Sequence, residues 1–185
     1  MPLALKKIRL TLKLLLLTFS PLLAYTQPAG NKEFPQNWLG KWKGTLDWYQ
    51  GTNKRQSVNM ELHILSGDST DQYSWRLIYG DKQEDNRPYI LKPFDKSKGH
   101  WLIDERNSII LDQFLVGDRF CGSFTVAGNT ILNTYYLSGD SLLVEFYNVQ
   151  EKPIAISGGR DSTLPKVKSY GVRSYQRAML KRSGD

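Results

Sequence analysis

His100, Asp104 and Ser108 are the residues whose types come nearest to a hydrolytic triad. Such a triad needs each partner within hydrogen-bond reach of the next. Four residues of extended chain span roughly 13 Å, so Asp104 cannot reach His100 along one strand. The chain also lacks a Gly-x-Ser-x-Gly elbow to present Ser108. Asp104, Glu105 and Asp112 are the next candidates, as paired carboxylates for acid–base work. Adjacent Asp104 and Glu105 at a turn read as solvated charges. Asp112 sits within the apolar run 109–116, and facing inward it would need a partner or would hold its proton. Cys121 is the single cysteine and reads as a small packed residue. Two histidines and one cysteine at unrelated spacings make no metal-ligand set. The expectation is therefore a non-catalytic chain with no metal site and no cofactor. A barrel isomerase or hydrolase using Asp112 or His100 as base is the alternative.

The elements that would hold any site are strands. From Trp38 onward the dominant period is two. Trp38, Gly40, Trp42, Gly44, Leu46 and Trp48 share one face, with Lys41, Lys43, Thr45 and Asp47 on the other. Val58, Met60, Leu62 and Ile64 alternate with Ser57, Asn59, Glu61 and His63. Tyr73, Trp75, Leu77 and Tyr79 repeat the pattern, and seven further runs follow between residues 88 and 180. Ser66-Gly67-Asp68, Gly117-Asp118, Gly128-Asn129 and Ser138-Gly139-Asp140 supply the turn residues between them. Ten short antiparallel strands in neighbour order predict a single closed up-and-down barrel, because closure removes the unpaired edges. An eight-stranded barrel or a β-sandwich is the competing architecture. Residues 150–166, with Pro153, Gly158, Gly159 and Pro165, read as one long loop.

The N-terminus reads as an export signal over 1–26. Lys6, Lys7, Arg9 and Lys13 precede the eleven-residue apolar stretch 14–24, too short for a bilayer span of roughly 20 residues. Residues 27–37 read as a polar leader, and 38–182 as the barrel domain. The whole chain carries a formal net charge of +7, and removing the four signal charges leaves +3. That remainder is dispersed and gives no footprint for nucleic acid. The expected protein is exported, periplasmic or extracellular, and without a stable membrane span after cleavage.

Aromatic residues make up 12% of the chain. Tyr73, Trp75, Phe124, Tyr135 and Phe146 fall at strand spacing. They either line a cavity for a flat or greasy ligand or fill a core.

Gly40-Lys41-Trp42 at the first strand and Arg173-Ser174-Tyr175 on the last resemble signatures of the calycin superfamily, which includes lipocalins and fatty-acid-binding proteins. The chain resembles an exported bacterial member. The resemblance implies that Gly40 and Trp42 close one end of the barrel, with an Arg of the last strand packed on the indole. In antiparallel closure Arg177 is better placed for that role than Arg173. The resemblance also implies that Arg173 and Tyr175 hold a ligand carboxylate inside, where a guanidinium fork and a phenol on one strand face can act together. Tyr170, Val172, Ala178 and Leu180 form a rival apolar face on the same strand. A further resemblance, to nitrobindin-like haem barrels, implies a His ligand from His63 or His100. The resulting expectation is a binding barrel for a small apolar or amphipathic molecule, with a filled-core interaction module as the alternative.

Overall fold

Strand periodicity and turn chemistry produce ten strands, and the computed structural model describes residues 33–83, 85–161 and 163–184. The export signal 1–26 and residues 27–32 of the leader lie outside the described residues. The strands are β1 (Gly40–Gln50), β2 (Asn53–Ser66), β3 (Tyr73–Tyr79), β4 (Asp85–Asp95) and β5 (His100–Asp104). They continue as β6 (Ile110–Val116), β7 (Arg119–Val126), β8 (Asn129–Ser138), β9 (Ser141–Gly158) and β10 (Lys166–Ser183). Each pairs antiparallel with its sequence neighbours, and β1 pairs with β10 to close an up-and-down barrel. Two-residue turns join several hairpins. At the β7–β8 turn Ala127 and Gly128 have φ of 47° and 73°, the double positive φ that matches strand twist.

Alternation sends one parity inward along each strand. Trp42 and Leu46, Met60, Leu62 and Ile64, Trp75 and Leu77, Leu142 and Val144, and Ala178 and Leu180 form the core. The outer faces of β1 and β2 carry Lys41, Lys43, Asp47, Asn59 and Glu61. Apolar side chains inside and charges outside reverse the pattern of a bilayer-spanning barrel.

One end of the barrel is plugged. A short 3-10 turn (Gln36–Trp38) crosses it, and Trp38 is buried. Phe34 packs against Trp38, Trp101 and Phe120 with ring centroids 5.0, 5.0 and 4.6 Å away. The 27–37 segment therefore contributes to the barrel at its C-terminal end instead of serving only as a leader. Trp42 Nε1 donates to the Trp38 carbonyl at 2.9 Å. Gln36 Nε2 donates to Tyr73 Oη at 2.8 Å.

The cation on Trp42 is Arg182, not Arg177. Its guanidinium carbon lies 4.1 Å from the indole centroid, and it donates to the Leu39 and Asn37 carbonyls. Two features explain the difference. β10 runs to Ser183, and Arg182 is the cross-strand partner of Trp42. Arg177 has the opposite parity to inward Ala178 and Leu180, and faces Asp47 across the outer surface. Gly40 makes room for this contact. Its φ is 142°, and a Cβ there would sit 2.5 Å from Arg182 Nη1.

The 150–166 segment is mostly strand. β9 and β10 pair out to Gly158 and Lys166, so only 159–165 remain as the connection.

Arg182→Ala removes a cation–π contact and two hydrogen bonds that tether the plug. It is expected to cost about 1–3 kcal/mol in urea unfolding. Arg177→Ala is expected to stay within about 0.5 kcal/mol of the parent. Equal losses for the two variants would refute this account of closure.

Candidate functional site

At the end opposite the plug the barrel opens into a mouth. Three connected features define it. An inner cavity of about 80 Å³ is lined by Trp75, Tyr79, Arg87, Tyr89, Gln113 and Tyr135, among others. Two wider spaces of about 300 and about 290 Å³ share Tyr79 and Arg87 with it. Leu46, Trp48 and Val58 line the first, and Phe124, Ile131, Phe146 and Asn148 the second. The inner cavity falls well short of the roughly 300 Å³ at which ligand pockets begin, whereas each mouth space reaches about that size.

Arg87 owes its position to register. It pairs across the ladder with buried Leu77, and Tyr89 pairs with buried Trp75. Paired residues share a face, so Asp85, Arg87, Tyr89 and Leu91 all point inward. Arg87 Nε donates to Asp85 Oδ1 and Oδ2 at 2.9 and 3.0 Å. Its guanidinium carbon lies 5.1 Å from the Tyr79 ring centroid. The side chain remains 45% exposed, so the guanidinium stands at the mouth with access to solvent. Hydrogen bonds from Arg87 hold the Asp85 carboxyl below its ordinary value. Burial pushes the Tyr79 phenol up to about 12, with neighbouring Arg87 opposing the rise. Tyr135, deeper inside, is pushed up mainly by burial. Both phenols therefore act as neutral hydrogen-bonding groups at neutral pH.

The inner cavity rests on a buried polar pair. Asn133 Nδ2 donates to Gln113 Oε1 at 2.7 Å, and the two residues are 3% and 1% exposed. Gly122 accommodates it, since a Cβ there would meet Gln113 Nε2 at 2.3 Å. Around the mouth some hydrogen-bonding capacity is unspent. Trp48 Nε1, beside the first mouth space, and Asn148 Oδ1, beside the second, are buried without a protein partner, whereas Trp75 lies against the Tyr135 phenol. Buried polar groups are nearly always satisfied, so these two atoms at the rim have hydrogen-bonding capacity that water or another polar group can take up. They offer one donor and one acceptor in the two spaces that Arg87 also lines.

The residues expected from sequence separate into groups. Trp75, Phe124, Tyr135 and Phe146 line the inner cavity. Tyr73 is buried at the plugged end, 6.4 Å from Trp101, and lines neither the inner cavity nor the two mouth spaces. Arg173 and Tyr175 do not line the interior, which corrects the expected carboxylate anchor. Arg173 is exposed. Tyr175 lies on the outer face, stacked on Tyr49 at 5.9 Å and tilted against Tyr147 at 4.8 Å, and donates to Glu145. The physical reason is the competition between the two faces of β10: burying Ala178 and Leu180 turns the odd-numbered residues outward.

The candidate acid–base groups also lie outside. His100 Nε2 and Asp112 Oδ1 are 2.6 Å apart on the outer surface, with Phe94 and Phe114 flanking the ring. Asp104 pairs with Lys92 at 2.9 Å. His63 contacts Glu61 at 2.8 Å on the outer face of β2, so neither histidine faces the interior as a haem ligand would. Among the described residues no group of three or more His, Cys, Asp or Glu could hold a metal ion. No protein-family model matches the chain, and no curated protein matches it significantly.

Arg87, Tyr79, Tyr89 and Trp48 are the site residues that sequence reasoning missed. Asp85, Arg87 and Tyr89 keep the parity of Leu91, a signal available once β4 is extended N-terminally past Pro88.

The Asp85 carboxyl has a lowered folded value, so its stabilising contribution is complete above the unfolded value of about 3.9. It is lost only as pH falls through the folded value. Thermal melting between pH 2 and 7 should therefore show a shallower acid limb in Asp85→Asn than in the parent. An identical limb would mean that the Asp85–Arg87 pair is absent in solution.

Proposed function

We propose that this chain is an exported, non-catalytic binding barrel that takes a small amphipathic molecule at its open mouth. The apolar body lies against Phe124, Phe146 and Tyr79. The polar end lies at Arg87, in the space that the unspent Trp48 donor also borders. The observation that carries the reading is the convergence of an inward, solvent-accessible Arg87 and the unpartnered Trp48 Nε1 and Asn148 Oδ1 on one end of a barrel plugged at the other. The Arg182–Trp42 contact beside Gly40 supports a calycin-like relationship. Export to the periplasm or cell exterior draws its support from Lys6, Lys7, Arg9, Lys13 and the apolar stretch 14–24.

A second reading, an interaction module whose interior is only core, draws on the inner cavity of about 80 Å³. Anilinonaphthalene sulfonate, an aromatic anion, separates the two. The binding reading predicts one saturable fluorescent site, weakened at least about tenfold in Arg87→Ala, a loss of one charge-assisted contact. Arg76→Ala alters a guanidinium that bonds Asn86 on the outer face and should leave the affinity unchanged. A folded parent with no saturable site, or equal affinity in Arg87→Ala, would favour the interaction module.

A further inference from the structure

β9 and β10 continue past the rim of the barrel as a two-stranded ribbon. β8 pairs with β9 only as far as Gln150, and β1 pairs with β10 only as far as Tyr175. Residues 151–158 therefore pair only with β10, and residues 166–174 only with β9, where Val172 and Ser174 meet Val149 and Asn148 of the barrel wall. Eight extended residues reach roughly 26 Å. Asn148 and Ser174, at the base of the ribbon, also line the mouth.

The ribbon exposes an unusual set of side chains. Ile154 and Val172 are 65% and 63% exposed, and Ile156, Val167 and Tyr170 are also exposed. Leu164, in the tip connection, is exposed as well. These groups are not confined to one face. Ile156 pairs with Lys168 and Val167 with Ser157. Successive residues of a strand point to opposite faces, so Ile156 and Val167 lie on opposite sides of the ribbon. The same segment carries Lys152, Arg160, Lys166, Lys168 and Arg173 against only Glu151 and Asp161.

We propose that this ribbon is a docking element for an anionic lipid surface, entering the headgroup boundary tip first. Charge complementarity selects the surface: five cations against two anions suit lipid phosphates. The two-sided apolar pattern selects the geometry. A protein groove covers one face of a ribbon and leaves the other in water, whereas a bilayer interface surrounds both. Lysine stems lie along the apolar residues while their ammonium groups reach the phosphates. Strand addition by a second copy is disfavoured, since Pro153 removes a donor from β9 and lysines blunt the open edges. Docking in this way turns the mouth toward the bilayer. The inference stands on the ribbon alone and does not depend on what the mouth binds.

Amide hydrogen exchange on the full chain tests it, because the readout is local to the ribbon. Vesicles of equal parts phosphatidylglycerol and phosphatidylcholine are expected to slow exchange across 151–174 at least about tenfold, and pure phosphatidylcholine vesicles are not. Ile154→Glu with Ile156→Glu should abolish the slowing, as should Lys166→Glu with Lys168→Glu, while β2 and β3 amides keep their protection and report an intact barrel. Ribbon amides that exchange alike with and without anionic vesicles would overturn the proposal, even if the chain sediments with the vesicles through residues 14–24. Slowing that tracks protein concentration without lipid, or equal slowing by polyglutamate, would assign the ribbon to a second copy or an acidic protein and would also overturn it.

Discussion

The contact on which the rest of the structure depends is the stack of Arg182 on Trp42. It joins three parts that are distant in sequence: the first strand, the last strand and the turn at 36–38 that crosses the barrel end. Arg182 reaches the backbone of Asn37 and Leu39 while covering the indole, and the indole in turn bonds the Trp38 carbonyl. The seam and the plug are thus one assembly. Gly40 follows from it, because a side chain there would occupy the space the guanidinium needs. An end closed this way cannot also admit a ligand, which leaves the opposite rim as the only entrance to the interior among the described residues.

Filling is accordingly uneven along the barrel axis. The aromatic residues Phe34, Trp38, Trp101 and Phe120 meet edge to face or tilted at the closed end and leave little space. Toward the rim the inward positions become longer and more polar: Gln113, Asn133, Tyr79 and Arg87. Polar groups at the rim are inexpensive because water or a ligand can reach them, whereas the same groups at the plug would be stranded. Arg87 is held by Asp85 but not consumed by it, since a guanidinium has five donors and Asp85 engages Nε and Nη2. Arg87 is thus fixed in place while it lines the inner cavity and both mouth spaces.

The strands were legible because each carries its own signal. Alternation over 57–64 and 73–79, and turn residues such as Gly117-Asp118 and Gly139-Asp140, fix ten strands in neighbour order without reference to distant parts of the chain. What was not legible depended on choices between faces and ends. β10 offers Arg173, Tyr175 and Arg177 on one face and Ala178 and Leu180 on the other. The tertiary requirement for small and aliphatic groups against Leu46, Leu142 and Val144 decides between them. The end of β10 at Ser183 is set by pairing with β1, not by a local stop signal. The ribbon looked like a loop because Pro153, Gly158, Gly159 and Pro165 suggest breaks, yet bulges between Ser169 and Ser174 absorb the irregularity while the pairing continues. Arg87 was hidden by Pro88, which reads as a strand start although it sits inside β4.

The five tryptophans are natural reporters of this uneven filling. Trp38, Trp42 and Trp101 belong to the plugged end, while Trp48 and Trp75 line the mouth and the inner cavity. Indole N–H resonances from nitrogen-labelled protein, followed during titration with anilinonaphthalene sulfonate, test the central claim most directly. The account predicts that the Trp48 and Trp75 signals move while those of Trp38, Trp42 and Trp101 stay in place. Movement at the plugged end, or no movement at Trp48 and Trp75 at saturating probe, would contradict it.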